Sequence, residues 1–449
     1  MGLARTPWLP LLCLLALAAP PVAADTLDEP GARAALAGLA APKAAARLAA
    51  LEELERLAHV EPRLVERALP RLKTILRLRS VAERARAVAL LARVPCPAGR
   101  ALWLARLDPH EESHEVVLAA AVAAPGDRPA DADLLRRLLG VLKDPRATPE
   151  RRALVLEALG PLDGAVVDLL LARPRKHEHW VEASARALAL GRRGGTSAVR
   201  PLLALLEHAQ LAPRIHARES LVRLTRQDLP PKAKPWRDWW KAQAGRLPVA
   251  PAPSEAGPRY GSPEPVHVPH YYGLPIPRRG SRVVFCLDAS QSMYGGGIES
   301  ARREMRRALM DFPSTHAFEV IVFNEKLLPW RERLVRAHPV QKLLAIRYLE
   351  SIEPTSYTNL YDAVEMAFGH AGRGSRPRAP AAKIDAVFLL SDGAPNRGRH
   401  RAAKRVIAGI AAMSKREIPV HTIGAGEEVF ALLMAIAKAT GGEFIDAFE

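Results

Sequence analysis

The stretch Val283-Val284-Phe285-Cys286-Leu287 contains no polar residue and then breaks into Asp288-Ala289-Ser290-Gln291-Ser292-Met293. An uninterrupted apolar run of strand length predicts a strand buried on both faces, as in a parallel α/β sheet. Its C-terminal loop then lies at the sheet edge where ligands bind in such folds. That loop carries one carboxylate, Asp288, and two hydroxyls, Ser290 and Ser292, at alternate positions. All three can point at one hard cation, and Mg²⁺ prefers oxygen donors with open or water-filled positions.

Two further segments offer oxygen ligands in the same way. Ser356-Tyr357-Thr358-Asn359 opens a helix expected over Leu360 to His370. Ile384-Asp385-Ala386-Val387-Phe388-Leu389-Leu390-Ser391 is a second apolar strand, ending in Asp392-Gly393. Strands are also expected at Phe318 to Phe323, Ile418 to Gly424 and Gly441 to Ile445. Helices are expected at Val340 to Ile352 and Phe430 to Thr440.

From about Ser281 to Glu449 the chain resembles the von Willebrand factor type A domain. The resemblance implies a doubly wound, Rossmann-like α/β fold with a metal-ion-dependent adhesion site built from three loops. Asp288, Ser290 and Ser292 match the first loop, Thr358 the second and Asp392 the third. The implied cation is Mg²⁺, or another divalent ion such as Mn²⁺ or Ca²⁺. One coordination position is left for an Asp or Glu of a protein partner. Gln291 stands where Gly is frequent in the family, and Ser356-Tyr357 replaces a Gly-rich lead into the threonine, so Thr355 competes with Thr358 as the second-loop ligand.

The preceding half is of another kind. From Pro30 to about Gly245, short amphipathic segments rich in Ala, Leu and Arg follow one another without strand-like alternation. Segments of the type Ala-x-x-Ala-Leu-x-x-Leu end at Leu57, Leu91, Val122, Leu159, Leu190 and Leu224, at gaps of 34, 31, 37, 31 and 34 residues. A second helix lies between copies, as at Val199 to His208. Two helices per near-constant period predict an α-solenoid, and the pattern resembles HEAT repeats. Trp236, Trp239 and Trp240 share a helical face and are read as an apolar cap on the last repeat.

The expected organisation is therefore a signal peptide over residues 1–24, a helical repeat domain over 25–246, a Pro/Gly-rich linker over 247–280 and the α/β domain over 281–449. The signal rests on Arg5, the apolar run Trp8 to Ala19 and the small-residue site Val22-Ala23-Ala24, which puts the mature start at Asp25. The expected location is secreted or periplasmic, with no stable membrane insertion after cleavage. Pro248 to Pro253 is the stiffest part of the linker, which should be mobile and open to proteolysis. The segment His267 to Pro277 is read as packing on one of the domains rather than as a metal site.

The formal charge is +17, and +16 once Arg5 leaves with the signal. Arg is spread over nearly every helix rather than gathered in one block, so no nucleic-acid partner is expected. The exception is Asn396-Arg397-Gly398-Arg399-His400-Arg401, which follows the Asp392 loop and would favour an acidic partner at its rim. Gly372 to Arg378 should lie at the opposite edge of the sheet. Of Cys13, Cys96 and Cys286, the first leaves with the signal and the others read as small buried hydrophobes without a disulfide.

His110-Glu111-Glu112-Ser113-His114 fits the His-Glu-x-x-His pattern of zinc hydrolases. It follows Asp108-Pro109, its neighbours are polar, and no third ligand stands out beyond the nearby Glu115. Acids at a helix start are explained by the helix dipole. The expected function is a non-enzymatic, exported protein-interaction or cell-adhesion protein working through the cation. The alternatives are an exported zinc hydrolase using His110, Glu111 and His114, or a structural scaffold whose metal site holds no ion.

Overall fold

The structure, a computed structural model, describes residues 30–58, 60–94, 96–106, 132–160, 162, 164–243, 246, 267–276, 281–331, 333–373 and 383–447. The expected signal, the His110-to-His114 motif, the repeat end at Val122 and residues 247–266 and 277–280 of the expected linker lie outside the described residues. The chain divides into two compact units, Met1–Arg106 and Leu107–Glu449.

Among the described residues of the first unit, five helices follow one another: α1 (Pro30–Gly38), α2 (Ala44–Ala58), α3 (Arg63–Ile75), α4 (Val81–Arg93) and α5 (Pro97–Ala105). Leu51, Leu54, Leu64, Leu72 and Leu91 are buried among them. Arg47 of α2 donates to the buried Glu83 of α4 at 2.5 Å.

The described part of the second unit opens with α6 (Ala132–Lys143), α7 (Pro149–Leu159), α8 (Ala165–Ala172), α9 (Trp180–Arg193), α10 (Val199–Leu205), α11 (Leu211–Thr225) and α12 (Ala233–Ala242). Pro149 and its cap Thr148 start α7, with the threonine hydroxyl accepting from Arg151 N–H at 3.4 Å. A Cβ on Gly160 would stand 2.9 Å from Ala189 Cα, and one on Gly191 only 2.3 Å from Ser220 Oγ. The same close approach thus recurs between successive helices α7, α9 and α11, one repeat apart. Trp180 to Gly191 is buried all round, because α9 packs against α7, α11 and a helix of the α/β domain. A helix buried on every side tolerates no exposed face, which is why Ala fills so many of its positions. Its buried Glu182 is held by Arg152 at 3.0 Å and Arg175 at 3.3 Å. Trp236 is the buried member of its stripe and donates Nε1–H to Pro230 O at 2.9 Å, while Trp239 and Trp240 are half-buried.

A short hairpin, β1 (His270–Tyr271) and β2 (Leu274–Pro275), leads into the sheet. Then come β3 (Arg282–Asp288), α13 (Gly297–Asp311), β4 (Ala317–Phe323), β5 (Leu327–Pro329), β6 (Val335–Arg336), α14 (Pro339–Glu350), α15 (Leu360–Gly369), β7 (Ala386–Ser391), α16 (Ala403–Ser414), β8 (Val420–Gly424), α17 (Glu427–Thr440) and β9 (Phe444–Asp446). The sheet order is β5-β4-β3-β7-β8-β9, with β6 also on β4. The pairs β3–β4, β3–β7, β7–β8 and β8–β9 are parallel, while β5 and β6 run antiparallel to β4. This is the expected Rossmann-like domain.

Alternate residues of β3 serve the two faces. Val284 and Cys286 join a core with Leu360, Val364, Phe368, Val387, Leu389, Ile410 and Ile436. Phe285 faces the other way, stacked on Phe388 with centroids 5.4 Å apart and in edge contact with Tyr271 at 5.0 Å. Both faces are covered, so the strand reads as unbroken apolar sequence. The aromatic segment before the sheet packs on it as expected, and His267 pairs with Asp311 at 2.6 Å. Cys96 and Cys286 are buried and free.

Within the second unit, α7 and α9 lie against α14, and α11 lies against α13. Glu219 of α11 accepts from Ser314 N–H at 2.9 Å and from its hydroxyl at 2.6 Å. Glu150 of α7 pairs with Arg347 of α14. The boundaries drawn at 246 and 281 are our proposed limits of the two folds, and these contacts lie across them.

Candidate metal centre

The chain leaves β3 to form β4 on one side and then crosses back to form β7 on the other. The C-terminal ends of β3 and β7 therefore flank the topological switch point, where doubly wound sheets hold their ligands. Leu287 is in register with Leu390, so Asp288 and Ser391 end their strands side by side.

Asp288 is 0% exposed. Its Oδ1 accepts Ser290 N–H at 2.8 Å and its Oδ2 accepts the Ser391 hydroxyl. Ser290 and Ser292 hydroxyls stand 3.1 Å apart, and Ser292 Oγ donates to Asp392 Oδ1 at 2.7 Å. Ser292 Oγ and Thr358 Oγ1 both approach Gly393: a Cβ there would lie 3.4 Å from the first and 3.6 Å from the second, in ordinary contact. Asp288, Ser290, Ser292, Thr358 and Asp392 are thus brought together from the three loops.

Thr358 and Thr355 differ in placement. Thr358 is buried, with its hydroxyl on the Gly393 side. Thr355 is exposed and serves the backbone: it bridges Ser290 in parallel register and donates its N–H to Ala289 O at 2.9 Å.

Burial pushes the Asp288 carboxyl up to about 7, against the pull of its hydrogen bonds from Ser391 and Ser290. Burial also raises Asp392, opposed by the Ser292 hydroxyl. Among the described residues no basic side chain pairs with Asp288. A carboxylate buried without a counter-charge is costly, and a hard cation among two carboxylates and three hydroxyls would supply that charge. The donor set fits a Mg²⁺-type ion and contains no His or Cys for a soft one. Among the described residues no three His, Cys, Asp or Glu side chains gather as a metal cluster, here or elsewhere, so this donor set rests on two carboxylates and the hydroxyls.

Three supporting residues escaped the sequence reading. Ser391 was legible only as the last strand residue, and its role depends on the β3–β7 register. Asn396 accepts Thr358 N–H at 2.8 Å through Oδ1. Asn324 O accepts Asn359 N–H at 3.0 Å, fixing the entry to α15. On the other side, Arg373 reaches Met413 O, Ser414 O and Glu417 near the start of β8, away from the site as expected, while Gly374 to Arg378 lies outside the described residues.

The sheet order and its covering helices are those of a doubly wound α/β domain, with three loops meeting at the switch point. Residues 281–444 form a von Willebrand factor type A domain, since the family model of that description matches them. The chain is similar to inter-alpha-trypsin inhibitor heavy chain H2 of Homo sapiens, at 28% identity over 156 residues. That match covers 34% of this chain and 16% of the heavy chain. Inter alpha-trypsin inhibitor, heavy chain 4 of Mus musculus is 27% identical over 146 residues, covering 32% and 16%. The chain thus spans about one-sixth of the length of these relatives. Among solved structures, a von Willebrand factor type A protein from Catenulispora acidiphila aligns at 20% identity and TM-score 0.31, covering 37% of this chain and 38% of that one. Among the described residues no helix is long and apolar enough to cross a membrane.

Proposed function

We propose that this chain is an exported interaction protein whose α/β domain binds a partner through a divalent cation. Asp288, Ser290, Ser292, Thr358 and Asp392 would hold the ion, directly or through water, and Mg²⁺ suits them best. An Asp or Glu of the partner completes its shell. The observation that carries this reading is the buried, uncompensated Asp288 at the switch point, surrounded by hydroxyls from both neighbouring loops.

The cation supplies positive charge at a site whose own groups are anionic or neutral. The protein supplies the rest. Ser391 and the Ser290 N–H orient the Asp288 carboxylate, and Ser292 orients Asp392. The serine hydroxyls of this set point at the two carboxylates that would hold the ion and no His, Lys or Cys stands among the five donors, so we read the site as one for binding rather than catalysis. The helical segment would act as a HEAT-like scaffold presenting the domain.

Affinity capture from the organism's own extracytoplasmic fraction tests the reading. Partners retained in Mg²⁺ and released by a chelator support it. A partner set unchanged by chelator and by Asp288→Ala would instead favour a structural scaffold that works through another surface.

A further inference from the structure

Beside the cation site the chain builds a fixed rim. Asn396 N–H and Arg397 N–H both donate to Thr358 O at 3.2 Å, while Asn396 Oδ1 takes the Thr358 N–H. The next residue, Gly398, has φ +93°, and a Cβ there would stand 1.9 Å from Asn359 Oδ1. Only glycine lets the segment lie this close in that conformation. Arg399 then donates its N–H to Asp362 Oδ1 at 3.1 Å and its guanidinium to Glu365 at 2.8 Å. Four consecutive residues are therefore fastened to the threonine loop and the first turns of α15.

The result is a placed guanidinium. Arg397 Cζ stands 5.6 Å from the centroid of the Tyr357 ring. Arg397 is exposed, and no carboxylate among the described residues pairs with it, whereas its neighbour Arg399 is held by Glu365. Two tyrosines stand out of the surface here. Tyr357, immediately before Thr358, is 46% exposed, and Tyr294, two residues after Ser292, is 76% exposed. A guanidinium attracted to a ring face at this distance still has N–H donors to offer a carboxylate.

We propose that Arg397, Tyr357 and Tyr294 are the specificity rim of the cation site, and that the partner is an acidic protein segment carrying two carboxylates. One reaches the cation and the second meets Arg397, while the tyrosines cover the segment's apolar atoms. This rests on the cation reading above. Arg399 is held by Glu365, so the guanidinium offered beside Tyr357 is that of Arg397, and its fork suits one carboxylate of a protein segment.

The test uses the full chain in Mg²⁺ and three kinds of synthetic peptide: one with a single glutamate, a series with a second glutamate moved stepwise along it, and a glutamine control. The best diacidic peptide should bind about tenfold more tightly than the monoacidic one. Arg397→Gln should erase that gain, so that the diacidic and monoacidic peptides bind alike. Arg397→Lys should restore part of it, and Tyr357→Ala should reduce it by freeing the arginine. An undiminished diacid preference in Arg397→Gln overturns the rim. So does a heparin fragment that outcompetes every peptide and loses its advantage in Arg397→Gln, which would assign the rim to a polysaccharide. Asp288→Ala separates the two claims. If that variant binds the peptides like the parent, the cation reading fails. If it abolishes binding while the parent shows no diacid gain, the cation reading stands and the rim falls.

Discussion

Lys342 Nζ on α14 lies 3.2 Å from His216 Nε2 on α11, and both side chains are fully buried. The lysine also donates to Phe312 O. Glu219 and Asp311 act on it from neighbouring elements, and His338 acts on the histidine. A lysine buried between the helical segment and the α/β domain does not suit an array swinging freely about a connector. The charged form would need water that this junction excludes.

That burial has a sign in pH. It pushes Lys342 down to about 7 from an ordinary 10.5, against the opposing pull of Glu219 and Asp311. Between those values the unfolded chain binds a proton that the folded chain lacks. Stability through this group therefore rises with pH from about 7 to about 10.5 and is lost as pH falls through about 7. His216, held well below its ordinary value by burial and then by Lys342, acts in the same sense below about 6.5. Urea unfolding at about pH 7 and about pH 10 should show this rise in the parent and a flatter profile in Lys342→Met. Equal slopes in the two proteins would mean that the lysine is solvated.

The repeated close contact of the helices gives a second prediction. Gly191→Ala drives a methyl against Ser220 and should cost about 1–3 kcal/mol in thermal unfolding. Ser220→Gly in the same chain should recover part of the loss, minus the bond that Ser220 Oγ gives Ala187 O at 2.8 Å. Additive losses in the double variant would show that the helices do not approach here.

Much of this was legible in the chain. The expected strand ending at Asp288 is Arg282–Asp288, and the expected helix from Leu360 is Leu360–Gly369. Helices end near the repeat positions Leu57, Leu91, Leu159, Leu190 and Leu224. Strong periodicity and apolar runs carry that information locally. What the chain hid is what depends on register and packing. Ser391 matters because β7 lies beside β3, and Thr358 parts from Thr355 only through their burial. The arginines that looked evenly scattered include Arg47 and Arg152, each paired with a buried glutamate of a later helix. No local pattern encodes which glutamate a given arginine will meet.

Gly398→Ala should be more harmful than a surface loop substitution, by about 1–3 kcal/mol, because it meets both positive φ and Asn359. Differential scanning calorimetry measures the loss. Peptide binding by the same variant should lose the diacid preference, since Arg397 is displaced with its neighbour. Retention of both would mean that the segment is not fastened where Gly398 lies.

Ser391→Ala removes the donor on Asp288 Oδ2 while leaving all five proposed ligands in place. Cation affinity should fall about 10–100-fold, as when outer-shell partners of metal ligands are removed. Circular dichroism should be unchanged. Undiminished affinity would assign Ser391 to the core alone.

The most direct measurement is a calorimetric titration of Mg²⁺ into the full chain and into Asp288→Ala, with circular dichroism on both. One site is expected in the parent and none in the variant, with matching spectra, because the sheet is held by its two apolar faces rather than by the ion. Equal Mg²⁺ binding by the parent and the variant would contradict the cation reading, and so would a folded parent that takes up no divalent cation.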